Sequence, residues 1–161
     1  MRLMLSVSCK SKMDIETTIR EFLAFVLEGE KEVNDLGEFM TRLDKLAYVS
    51  GCIEAKFDER EYPDPPENEY REIRKIVEKR FPNLGYYNSP ENICEKIPSS
   101  QMVLGDGIDD ISDIVGDLKD ALWYFENTSK ANALWHTQES FRSHWGRHLR
   151  ELQLYLHDQW W

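Results

Sequence analysis

No stretch of the 161-residue chain approaches the run of about 20 apolar residues that a membrane helix requires, which argues against a helical membrane span. Cysteine is scarce: Cys9, Cys52 and Cys94 are odd in number, far apart and form no CxxC pair. That fits reduced thiols in a bacterial or other cytosol better than a disulfide framework or a zinc knuckle, so the expected localisation is cytoplasmic. Each thiol reads as a small buried or half-buried side chain. Basic residues are also short, with 20 Lys and Arg against 30 Asp and Glu and a formal net charge of -10. A nucleic-acid binder needs a basic surface to displace counterions from phosphates, and an anionic membrane surface needs the same, so neither is expected as a partner. The chain also lacks GxSxG, P-loop, GxGxxG and HExxH signatures, so it carries no complete catalytic motif.

What is present is core material. Apolar residues make up 41% and aromatics 12%, which suits one globular domain spanning residues 1–161. Arg2 to Cys9 is too short in its apolar part for a secretion signal, and Met13 opens a helical pattern. Residues 1–12 are therefore expected to be a weakly ordered extension, with either Met1 or Met13 as the start.

Helical periodicity dominates the rest. Asp14 is placed to cap a first helix carrying Ile15, Ile19, Phe22, Leu23 and Val26 up to Gly29, and a second pattern begins at about Glu32. The run YPDPPENE breaks the chain, and a third helix is expected from Glu67 to Phe81. Residues 82–105 read as turn-like, held down by Tyr86, Tyr87 and Ile93. Two long patterns, Asp106 to Glu126 and Lys130 to Asp158, are joined by the polar NTSK and predict an antiparallel helical hairpin. The expected fold is all-α, a bundle of about five main helices with that hairpin at its centre.

Chemistry concentrates on the hairpin. Asp106, Asp110, Asp113, Asp117 and Asp120 form an acidic stripe whose members repel at spacings of three and four residues and so ask for a counter-charge. The candidates are the helix N-terminus for Asp106 and Asp109, an Arg or His of the next helix, a divalent cation, or a basic protein partner. All four histidines, His136, His144, His148 and His157, lie on the last helix, and FRSHWGRHL sets His144 and His148 one turn apart. Such a pair can bind metal, with Glu151 and Asp113 as further candidate ligands; folding the hairpin brings His144 level with Asp113 and His148 level with Asp109. The commoner arrangement is a polar lock in which His144, Arg147 and His148 pair with the aspartates across the hairpin. Gly146 costs about 1 kcal/mol in a helix interior, which calls for a close neighbour, either another helix or the 82–105 segment. Leu134, Phe141, Trp145, Leu149, Leu152 and Leu156 define the helix seam, while Trp160 and Trp161 either fold back or offer a partner-binding patch.

DDISDIVGDLKDALWYFE followed by ALWHTQESFRSHWGRHLRELQLYLH resembles the C-terminal half of a bacterial family known as a domain of unknown function, number 5063. The resemblance implies an all-helical protein with no assigned activity, and points to Asp110, Asp113, Asp117, His144, Trp145, Gly146, Arg147 and His148 as its motif. GDLKDALWYF also looks like the second motif of the all-alpha nucleotide pyrophosphatases, but their first, a paired-Glu helix, is missing: Glu28, Glu30 and Glu32 straddle Gly29 at a helix end. The sequence thus favours a non-enzymatic acidic protein-binding module, accessory or immunity-like. The alternative is a divalent-metal-dependent hydrolase, pyrophosphatase-like, built on the Asp stripe with His144 or His148.

Overall fold

A computed structural model describes residues 14–160. The expected extension at residues 1–12, Cys9, and the side chains of Trp160 and Trp161 lie outside the described residues. Asp14 does cap the first helix, accepting from the Thr17 backbone amide at 3.2 Å, and α1 runs Ile15–Leu27. The second helix, α2, is Leu36–Gly51 and starts later than Glu32, because Asp35 rather than an upstream residue caps it by accepting from the Glu38 amide. The third helix, α3, is Tyr70–Arg80, three residues shorter at its N-terminus than expected.

Arg80 ends α3 and is buried with no carboxylate partner among the described residues. Its guanidinium instead donates to the carbonyls of Phe25, Val26 and Lys31, closing the C-terminal end of α1, where a positive charge is favoured. Phe22, Phe25, Phe39 and Phe81 meet beside it and join α1, α2 and α3 through ring contacts of 4.8 to 6.4 Å.

The segment expected to be turn-like contains a two-stranded antiparallel sheet, β1 (Tyr86–Pro90) and β2 (Met102–Asp106), with Tyr87 opposite Gly105. Its inner face is polar and aromatic: Tyr87 stacks on Tyr155, and the Ser89 hydroxyl donates to Glu151. Gly105 is needed opposite Tyr87, since a Cβ there would collide with the Tyr87 ring. Tyr86 and Ile93, expected to hold the segment down, are exposed, and Cys94 in the loop between the strands is exposed rather than buried. Cys52 is half-buried.

The long helix α4 (Gly107–Asn127) is capped by Asp106, which accepts from the Ile108 amide at 3.0 Å, and is packed upon by α1, α3 and the chain that follows it. That chain turns at Thr128 and Ser129 and returns antiparallel, as expected, but not as one continuous helix. It is α5 (Lys130–Ser140), a π-helical turn (Phe141–Trp145), and α6 (Gly146–Trp160), which makes six α-helices among the described residues. The extra residue is visible in the buried seam: Thr137 on α5 is followed eight residues later by Trp145, whereas two α-helical turns take about seven. Trp145, Leu149, Leu152 and Leu156 therefore continue the core face, and Leu134 and Phe141 are half-buried at its edge.

Gly146 is explained by the same turn. A Cβ at this position would collide with the carbonyl oxygen and ring of Phe141, five residues earlier in its own chain, so the close neighbour is neither another helix nor the 82–105 segment. Gly→Ala ordinarily stabilises a helix interior by about 1 kcal/mol. Gly146→Ala is expected to destabilise the protein by about 1–3 kcal/mol through overpacking, as read from denaturant unfolding midpoints; a gain in stability would contradict the π-turn account.

Candidate metal centre on the acidic helix

The acidic face of α4 meets α3 and the residue Asn68 before it, the β-hairpin, the π turn and α6, and most of its aspartates find partners there. Asp106 and Asp109 share the guanidinium of Arg74 from α3, each at 2.9 Å, and Asp109 also accepts from the Tyr70 hydroxyl. Asp120 accepts from the side-chain amide of Asn68 at 2.6 Å. Asp110 is the most enclosed, only 4% exposed, and accepts from Tyr87 of β1 at 2.6 Å while lying 2.8 Å from Nδ1 of His148. Asp117 lies 2.6 Å from Nδ1 of His144. The expected register thus moves: His144 sits against Asp117 rather than Asp113, His148 against Asp110 rather than Asp109, and Asp109 belongs to α3.

Asp113 is different because no donor among the described residues saturates it. Its Oδ2 is 3.6 Å from Nε2 of His148, and one ligand atom each from Asp113, His144 and His148 lies within 4.8 Å of the others. The two imidazoles stand edge to face with centroids 5.0 Å apart. A carboxylate on Nδ1 places the ring proton there, which leaves Nε2 of each imidazole as the atom free to accept or ligate. Glu151, the other candidate ligand, does not join them: Arg147 donates to it at 2.8 Å and Ser89 at 2.9 Å. Arg147 also reaches the Pro90 carbonyl, so it fastens the β-hairpin to α6 and does not pair with the stripe. Trp145 is core, its indole N–H donating to the Ser140 hydroxyl at 3.0 Å.

Electrostatics follow from this enclosure. Burial pushes the carboxyls of Asp113, Asp117 and Asp120 above the usual carboxylate range, with the His148 and His144 rings pulling Asp113 and Asp117 partly back. The bond to Asp110 raises His148 above its ordinary value, against the opposing effect of burial. Burial and Asp110 together raise the Tyr87 phenol, so Tyr87 remains a donor throughout the accessible range. Tyr70, Arg74, Asn68, Tyr87 and Ser89 were not singled out as site residues by the sequence. Each comes from an element far away in the chain, and none carries a local signal beyond being polar.

The family described as Domain of unknown function (DUF5063) matches residues 9–159. The chain is a member of DUF5063. The resemblance carried by the HWGRHL segment is thereby borne out, and the fold is mostly helical as expected, with the small sheet added. The crystal structure of protein BF1032 from Bacteroides fragilis is similar in fold, with a TM-score of 0.71 at 22% identity over 91% of this chain and 90% of that one. No curated protein matches. Among the described residues of this DUF5063 chain, no helix is long and apolar enough to cross a membrane.

The His148 pairing makes stability depend on pH. Its folded-state pKa is raised, so its contribution is complete below the unfolded value of 6.5 and is lost as pH rises through the folded value. Asp113 and Asp117 act with the same sign in the more acidic window above 3.8, while His136, lowered by burial, opposes it below pH 6.5. In metal-free buffer the fall in unfolding free energy from pH 6.5 to 9 should therefore shrink in His148→Gln relative to the unsubstituted chain. An unchanged slope would mean that the Asp110 contact does not hold the His148 proton.

Proposed function

We propose that this DUF5063 chain binds a divalent transition metal through Asp113 and the Nε2 atoms of His144 and His148, and that the bound ion activates water for a hydrolytic reaction. The observation that carries this reading is the double buttress: each imidazole has its Nδ1 on a separate aspartate, Asp117 or Asp110, while Asp113 stays unsaturated between them. Metal-binding histidines characteristically give their second nitrogen to a carboxylate, which fixes the tautomer and raises ligand basicity. Two imidazoles and one carboxylate suit Zn²⁺, Mn²⁺ or Fe²⁺ better than Mg²⁺ or Ca²⁺. Three protein ligands leave a position for water, and the half-exposed Asp113 and exposed His144 give water access.

Ligands at about 2.1 Å from one ion stand no more than about 4.2 Å apart, so the side chains must draw in slightly on binding. His144 has room to do so. The acidic protein-binding reading drew its motive from an uncompensated Asp stripe, and that motive weakens once Arg74, His144 and His148 supply the compensation. The exposed thiol of Cys94 fits a reducing compartment such as the cytoplasm.

Calorimetric titration with Zn²⁺, Mn²⁺ and Mg²⁺ checks the reading. One Zn²⁺ or Mn²⁺ per chain is expected, with at least tenfold weaker binding in Asp113→Ala and for Mg²⁺. At a hundredfold excess over Kd the ion should stabilise the fold by about 2.7 kcal/mol. Absence of binding at millimolar metal would overturn it.

A further inference from the structure

Beside the proposed metal centre lie two adjoining cavities whose contents the metal ligands alone do not explain. The first, about 180 Å³, is walled by Pro65, Asp117, Asp120, Tyr124, His136 and Ser140. Because Asp117 is also the carboxylate on His144, this cavity opens immediately beside the ligand set. The second, about 210 Å³, shares Tyr124 and His136 with the first and continues to Phe57, Trp135, Asp58 and Asp64. Together they reach the lower end of the about 300–1,000 Å³ typical of small-molecule sites.

We propose that this pair of cavities is the substrate pocket of the metal centre and takes a small planar organic cation, an amidinium, guanidinium or protonated aromatic amine, rather than a phosphate ester. The catalytic meaning of the pocket rests on the metal reading; its ligand preference does not.

Two independent features set that preference. One is the aromatic lining: Tyr124 and His136 lie parallel at 3.9 Å, Trp135 stands edge-on to His136, and Phe57, largely exposed, meets Trp135 at 5.1 Å. Exposed faces of such rings attract flat and cationic groups. The other is charge. Asp58 and Asp64 line the outer cavity, and Asp117 and Asp120 the inner one. Asp58 is spent on Arg60, Ser129 and Tyr62, and Asp120 on Asn68, with Lys119 nearby. Asp64 is exposed, and no hydrogen bond or ion pair satisfies it among the described residues. Among the described residues Arg60 is the only Arg or Lys in either wall, and it is held on Asp58 at 2.7 Å with most of its side chain in solvent. Burial keeps His136 neutral near pH 7. An anion would meet four carboxylates and a single occupied guanidinium, whereas a cation would meet rings and the open carboxylate of Asp64.

Three probes of one shape and different charge test this: benzamidinium, benzamide and benzoate, titrated by calorimetry into the full chain in EDTA, with side-chain NMR of His136. Benzamidinium is expected to bind at least tenfold more tightly than benzoate, to shift the His136 ring signals, and to weaken at least fivefold in the surface variant Asp64→Asn. Equal affinity for the three probes, a preference for benzoate, or binding that leaves His136 unshifted would overturn the proposal. Repeating the titration with Zn²⁺ separates the two ideas. Benzamidinium binding without any Zn²⁺ binding would leave the pocket standing and remove the metal centre, and Zn²⁺ binding without benzamidinium binding would do the reverse.

Discussion

Asp110 sits on the central helix with almost none of its surface in water, and a carboxylate so placed has to be kept partnered. Tyr87 and His148 are those partners, and they come from the β-hairpin and α6. The consequences spread outward from that constraint. The hairpin must reach over α6 to deliver Tyr87, which it does by stacking on Tyr155 and by tying Ser89 and the Pro90 carbonyl to Glu151 and Arg147. The last helix carries His148 beside its core seam of Leu149, Leu152 and Leu156, where the ring is half-buried against α4. Removing one partner from such an enclosed charge costs far more than the pair itself contributes, which explains why two separate elements converge on this one residue of α4.

The same geometry accounts for the candidate metal centre. Asp110 and Asp117 use the Nδ1 atoms of His148 and His144, which leaves both Nε2 atoms uncommitted; that of His148 lies 3.6 Å from Asp113, and a ring nitrogen of His144 lies within 4.8 Å of the ligand atoms of both. The acidic face of α4 divides into four working parts. Asp106 and its neighbour Asp109 bind α3 through Arg74, Asp110 and Asp117 orient imidazoles, Asp120 accepts from Asn68, and Asp113 stays open. A net charge of -10 therefore says little about a diffuse surface and more about how one helix face is used.

Much of this was legible in the sequence because its cause is periodic. The Asp stripe, the Leu149, Leu152 and Leu156 seam, the Asp14 and Asp106 caps and the NTSK turn all repeat or terminate at helical spacing, and each stands where the periodicity put it. The β-hairpin was not legible: YYNSP and MVLGD are five residues each, include a proline and a glycine, and owe their pairing to contacts with α6 rather than to an alternating pattern. The π turn was half legible. Gly146 registered as a cost that needed a reason, but the reason is the local backbone of Phe141, which no side-chain pattern reveals. Arg74, Asn68 and Tyr87 lie 23 to 52 residues from the aspartates they serve, and such long-range pairings leave no trace in a single sequence.

The claim on which the account rests is that His144 and His148 are held by their Nδ1 atoms with both Nε2 atoms uncommitted. Nitrogen NMR of the two imidazoles, in metal-free protein at a pH where both are neutral, reads this directly. The account predicts a protonated, pyrrole-type Nδ1 and an unprotonated, pyridine-type Nε2 in both rings. A protonated Nε2 on either ring would contradict it, since that nitrogen could neither ligate an ion nor leave Nδ1 a donor to its aspartate.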